Sequence, residues 1–218
     1  MKWRRGHENL RFSCRGKRKA HHELFYLRIG VLSICSREDE MAQRYEVRLS
    51  GSGGQGLVLG GVILAEAVAL FEGINAVQTQ SYGPEARGGA SKSEVIISDG
   101  DIDYPKATQI DLLLCLTQEA CDKYSVDLKD GGILLADSRM VTKLPKGNFR
   151  VYHLPIIDTA KEKVGKVFVA NIVALGAIAG LLESVSLENV EKAVLRRVPK
   201  GTENLNRRAL TLGHELVA

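Results

Sequence analysis

Absences narrow this chain before any motif does. Its four cysteines, Cys14, Cys35, Cys115 and Cys121, form no CxxC pair and have no histidine at ligand spacing, so neither a zinc site nor an iron–sulfur cluster is legible in them. Such cysteine usage fits a reducing compartment, the cytoplasm. A basic surface is also missing where nucleic acid would need one. Residues 1–40 hold ten Lys and Arg against five Asp and Glu, and the rest of the chain holds twenty against twenty-one. The body is close to neutral, and the formal charge of +4 does not describe a DNA or RNA footprint. No apolar run reaches bilayer length: "LFYLRIGVLSIC" has twelve residues broken by Arg28, and "VFVANIVALGAIAGLL" has sixteen. There is no internal repeat, no low-complexity tract, and no Ser/His/Asp or paired-carboxylate arrangement.

The first forty-two residues stand apart. "MKWRRGHENLRFSCRGKRKAHH" is polar and basic without an apolar period. A twin-arginine or lipoprotein signal is disfavoured, because Arg28 interrupts the apolar segment and bulky Ile34 precedes Cys35. The reading preferred is a basic arm over 1–42, unstructured or lying upstream of a start at Met41, followed by one domain over 43–218.

From Tyr45 the pattern alternates between strands and helices. "YEVRLSG", "INAVQTQ", "SEVIIS", "DLLLCL", "GGILLAD" and "FRVYHLP" read as strands. Helices are expected over 57–71 and 118–124, and three more, at about 167–183, 186–197 and 203–217, close the chain. Continuously apolar strands such as 112–116 call for a sheet covered on both faces. The fold class is therefore α/β, a three-layer sandwich with a mostly parallel central sheet and a helical C-terminal part. Two helices, Leu57 to Phe71 and Val167 to Leu182, lack a polar face, with Glu66 and Asn171 their only strongly polar residues. Each is buried either within its own fold or against a partner subunit, and Gly176 and Gly180 would admit a second backbone. The two following helices are amphipathic, with stripes Leu187, Val190, Val194, Val198 and Leu205, Ala209, Leu212, Leu216.

Chemistry concentrates in two glycine-rich stretches. "GSGGQG" lies between the first strand and the first helix, where Gly51, Gly53, Gly54 and Gly56 allow backbone angles that turn successive N–H groups toward an anion at the positive end of a helix. Gly51-x-Gly53-x-x-Gly56 has dinucleotide spacing, yet no acidic residue follows "INAVQTQ" to hold a ribose. A nucleotide site and a plain tight turn both stay open. The second stretch, "QSYGPEARGGASKSEV", frames Arg87 between Pro84 and the doublet Gly88-Gly89. Its guanidinium is a planar donor fork for a phosphate or carboxylate, or the partner of Glu85 or Glu66. Tyr82 and Glu85 either touch the ligand or pack the loop. If both stretches leave neighbouring parallel strands, they share one rim. Asn171, Asn204 and Asn206 read as caps near helix starts, His153 as a satisfied core residue, and Cys115 as a small buried hydrophobe.

"GSGGQG", "QSYGPEARGGASKSEVIIS", "IDYP", "DLLLCLTQEACDKY", "VANIVALGAIAG" and "ENLNRRALTLG", in this order over 43–218, resemble the gamma subunit of 2-oxoacid:ferredoxin oxidoreductases, most closely the 2-oxoglutarate type. The resemblance implies a pyruvate/ketoisovalerate oxidoreductase gamma domain within a complex that decarboxylates a 2-oxoacid on thiamine diphosphate, passes electrons through iron–sulfur clusters to ferredoxin, and forms an acyl-coenzyme A. It implies alpha, beta and delta-type partners that carry those cofactors, no catalysis by this chain alone, and a domain that helps enclose the coenzyme A site; Gly53, Gly54, Gln55, Gly56, Tyr82, Glu85, Arg87, Gly88 and Gly89 are the residues expected to meet that ligand, or one partner loop in its place. "SDGDIDYP" has no Gly-Asp-Gly, so the thiamine site belongs elsewhere. Pyruvate, branched-chain and indolepyruvate enzymes share this framework, and a free-standing Rossmann-like nucleotide-binding module is the other class the glycine turn allows.

Overall fold

The computed structural model describes residues 43–81 and 89–218. Six strands among them form one sheet: β1 (Arg44–Ser52), β2 (Asn75–Ser81), β3 (Ala90–Ser98), β4 (Ile110–Cys115), β5 (Leu128–Asp137) and β6 (Arg150–Leu154), in the order β2-β3-β1-β4-β5-β6. β1, β4, β5 and β6 run parallel, whereas β3 is antiparallel to both β1 and β2. The sheet is thus mostly parallel, but β2 and β1 are not neighbours. β2 and β3 form a hairpin, and β3 stands between the two strands expected side by side.

Alternation along each strand sends successive side chains to opposite faces. On one face Val47, Leu49, Leu112, Leu114, Ile133 and Leu135 meet α1 (Leu57–Glu66), α4 (Ala170–Leu181), α5 (Leu187–Arg197) and α6 (Glu203–Glu215) in the main core. On the other, Ile110, Leu113, Cys115 and Leu134 pack with Ala120, Cys121 and Tyr124 of α2 (Gln118–Tyr124), whose N-cap Thr117 accepts from the Ala120 amide. Among the described residues, this short helix forms the third layer.

The apolar helix α4 is covered by its own fold. Ten of its twelve residues are buried, and α6 crosses it so closely that a Cβ on Gly176 would meet the Leu210 carbonyl and lie 2.9 Å from the His214 amide nitrogen. A Cβ on Gly213 would meet the backbone of Val173. The second backbone that Gly176 admits is therefore that of this chain. α6 accordingly buries Asn206, Ala209, Leu210 and Gly213, so its inward line is rotated from the expected stripe, on which only Ala209 is fully buried. The helix expected over 57–71 passes from α1 into a π-helical turn at Ala67–Glu72 and ends at Gly73, in the left-handed region. One helical segment had no counterpart in the sequence reading: α3 (Ile156–Asp158), extended by a π-helical turn at Thr159–Val164.

Candidate functional site

The carboxyl ends of β1, β4, β5 and β6 define one rim, where open α/β sheets place their ligands. β1 ends at Ser52 and the chain turns through exposed Gly53 and Gly54 into α1. Gly54 has φ 91° and Gly56 φ 72°, a region that side chains resist, and the space around Gly54 is open. Gln55 folds back so that its Oε1 accepts the Ser52 amide at 2.8 Å, a brace for the turn. The Gly56 carbonyl accepts twice: from the Gly60 amide at 2.9 Å, the first bond of α1, and from Asn171 Nδ2 at 3.2 Å. This second bond joins the turn to the start of α4, a link across 115 positions that no local pattern announces.

The end of β2 and the start of β3 lie on the same rim. Ser81 pairs with Lys92 and Ser52 with Ala90, which places half-buried Gly89 beside the glycine turn even though β2 and β1 are separated by β3. The loop's exit is held from α2: Glu119 accepts the Ala90 amide at 3.3 Å and the Tyr124 hydroxyl donates to the Ala90 carbonyl at 3.1 Å. Tyr82, Glu85, Arg87 and Gly88 lie outside the described residues. Glu66, one of the two partners considered for Arg87, faces Arg196 and Arg197, at 3.3 and 2.7 Å. Further along the rim, fully buried Asp137 accepts the amides of Arg139, Met140 and Ile157 at 2.8 to 3.0 Å and organises the end of β5. Val167 and Phe168, the latter 68% exposed, flank the start of α4.

Other expected positions resolve differently. His153 is exposed on the edge strand β6 rather than in the core, its Nε2 2.8 Å from the Val141 carbonyl. Asn206 donates to the Thr202 carbonyl and hydroxyl near the start of α6, as expected, while Asn204 is exposed. Cys115 is fully buried. Its hydrogen bond to Cys121, with burial second, pushes its thiol well up, and the same bond holds Cys121 below the usual thiol value. Among the described residues no group of three His, Cys, Asp or Glu is placed to hold a metal ion, and no helix is long and apolar enough to cross a membrane. These residues offer no cradle for an iron–sulfur cluster. What the rim can do is present backbone amides to an anion.

The comparisons with known proteins agree with this architecture. Residues 46–216 match the family model for pyruvate ferredoxin/flavodoxin oxidoreductase. The chain is 53% identical over 175 residues to the 2-oxoglutarate synthase subunit KorC of Methanocaldococcus jannaschii, covering 79% of this chain and 94% of that subunit. It is 34% identical over 144 residues to the ketoisovalerate oxidoreductase subunit VorA of Methanothermobacter marburgensis, covering 66% of this chain and 30% of that longer one. The solved gamma subunit of a keto/oxoacid ferredoxin oxidoreductase from Geobacter sulfurreducens is 61% identical, with a TM-score of 0.76 and coverage of 81% of this chain and 97% of that one. With the fold and residues 46–216 matched, the chain belongs to the pyruvate ferredoxin/flavodoxin oxidoreductase family.

Proposed function

We propose that this chain is the gamma subunit of a cytoplasmic, multi-subunit 2-oxoglutarate:ferredoxin oxidoreductase, which converts 2-oxoglutarate and coenzyme A to succinyl-coenzyme A and CO2 and delivers two electrons to ferredoxin. The observation that carries the reading is the 53% identity to KorC across 94% of that subunit. Thiamine diphosphate and the iron–sulfur clusters sit on the alpha, beta and delta-type partners, and this chain supplies assembly and one wall of the coenzyme A site. The assembling domain is residues 43–218, with the arm 1–42 dispensable to it. Within the domain, Gly53, Gly54, Gln55, Gly56 and Gly89 on the rim, with Tyr82, Glu85, Arg87 and Gly88 of the hairpin loop, meet the coenzyme.

The test is purification of the complex and assay of 2-oxoacids one by one with coenzyme A and ferredoxin. 2-Oxoglutarate should give the highest kcat/KM, and a higher value for pyruvate or a branched-chain 2-oxoacid would overturn the substrate assignment. Replacing Arg87 by Ala in the assembled complex removes a charge-assisted contact of about 1.5 to 3 kcal/mol, or about ten- to a hundredfold in coenzyme A affinity. Arg87→Lys should recover only part, since it keeps the charge and loses the planar fork. Loss of assembly without a coenzyme A defect would make Arg87 an interface anchor instead.

A further inference from the structure

We propose that Asn171 is a positioning residue for the coenzyme, setting from the first turn of α4 the Leu57 amide at the end of the glycine turn; the inference rests on the coenzyme A reading given above. Asn171 is 5% exposed at the first turn of α4. Its Oδ1 accepts the Ile172 amide at 3.0 Å, which leaves Nδ2 aimed at the Gly56 carbonyl at 3.2 Å. With the Gly60 amide on the same oxygen, both of its lone pairs are engaged. A carbonyl held by two donors fixes its peptide plane, and in a trans peptide the N–H of Leu57 then points the opposite way, out of the start of α1. The residue type at 56 is set by the same contact. Gly56 has φ 72°, and a Cβ there would stand 2.6 Å from Asn171 Nδ2.

A buried asparagine that merely capped its own helix would need no partner so far along the chain. Here one amide group closes α4 on one side and orients the turn on the other. A ligand that reads the Leu57 amide at the end of the turn therefore reads a geometry set by Asn171, without touching it.

The experiment uses the complete complex, with coenzyme A varied at saturating 2-oxoacid. Asn171→Asp keeps the volume but sets an acceptor against the Gly56 oxygen, and Asn171→Ala removes the donor. Each should raise the KM for coenzyme A about tenfold, the scale of one net hydrogen bond, while kcat at saturating coenzyme stays within about twofold. Gly56→Ala displaces the same amide from the opposite side and should reproduce the effect. It carries the test if neither Asn171 variant assembles. Gly54→Val, at the open tip, reports on the coenzyme reading itself. If Gly54→Val raises KM but the Asn171 and Gly56 variants do not, Asn171 is only a packing residue and the positioning role is overturned. If none of the four moves KM, the turn does not meet coenzyme A and both readings fall together.

Discussion

The two faces of the sheet are built from the same strands by opposite means. On the face under α1, α4, α5 and α6, the inward residues of β1, β4 and β5 are mainly aliphatic: Val47, Leu49, Leu112, Leu114, Ile133 and Leu135. On the face under α2, the alternate positions of β1 are Glu46, Arg48 and Ser50, and those of β3 include Lys92 and Glu94. Both faces are buried: Arg48 is 2% exposed, yet it pairs with Glu94 at 2.7 Å and with Asp127, and its guanidinium lies 5.4 Å from the centre of the Tyr124 ring. Glu46 accepts the Thr108 and Gln109 amides at 2.6 and 2.8 Å, and Asp111 accepts the Glu46 amide at 2.8 Å and pairs with Lys129. Among the described residues no buried side-chain nitrogen or oxygen lacks a partner. The difference teaches that one face is held by volume and the β1–β3 part of the other by pairing beside a smaller apolar cluster. The first should fail when something is added, the second when something is removed.

The largest expected effect breaks the apolar face by addition. Gly213→Val forces a branched side chain into the backbone of Val173, where α4 and α6 touch. Backbone cannot yield as a flexible side chain does, so the helices must separate, at a cost of about 4 kcal/mol or more. Thermal unfolding of the complex should show the loss, whereas Leu212→Ala, on the half-buried side of α6, should cost far less. Equal transitions for the two variants would deny the close crossing.

The paired face should break by subtraction. Arg48→Ala leaves Glu94 buried, with Lys92 at 2.7 Å its one remaining cation among the described residues. A loss of about 3 kcal/mol is expected, the low end for stranding one member of a buried pair, because Asp127 is 43% exposed and can rehydrate. Replacing the pair together, Arg48→Met with Glu94→Leu, should recover most of it, since two apolar groups strand no charge. A double variant as unstable as the single one would show that packing around the guanidinium, and not its pairing, holds this face.

Periodicity made the volume-held face legible and left the paired one obscure. The aliphatic runs of β4 and β5 announced a doubly covered sheet, and α2 begins at Gln118, after Thr117, as its capping pattern implies. The alternation in "YEVRLSG" gives no sign that Glu46 and Arg48 are buried, because apart from Arg44 their partners come from β3, the loop before β4 and the segment after α2, 46 to 79 positions away. The antiparallel β3 went unseen for a related reason: strand content fixes neither order nor direction. At the site, the glycines declared the turn through the φ angles they permit, but Asn171, Glu119 and Tyr124 act through single long-range hydrogen bonds. α6 misled because Gly213, with no side chain to count, marks its most intimate contact.

The smallest effect sharpens the contrast by titration. Tyr45 is a phenol on the apolar face, at the amino rim, beside a cavity of about 430 Å³ also lined by Arg150 and Glu183. Burial, and after it the Asp111 carboxylate, pushes its pKa from 10.0 to about 12, and Arg150 offsets only part. On the paired face a buried charge finds a counter-charge in contact; here the phenolate finds none close enough to prevail. Below the unfolded value of 10.0 both states keep the proton and the stability contribution is whole. As pH rises from there toward about 12 the unfolded chain ionises while the folded chain does not, so the unfolded state binds fewer protons and stability falls. Wild type should therefore lose stability more steeply than Tyr45→Phe over this interval, by a margin that solvent access to the cavity keeps small, and the two should differ by a constant below it. Denaturant midpoints taken through that range decide the matter: parallel curves for wild type and Tyr45→Phe would mean that the phenol is as well solvated in the folded chain as in the unfolded one.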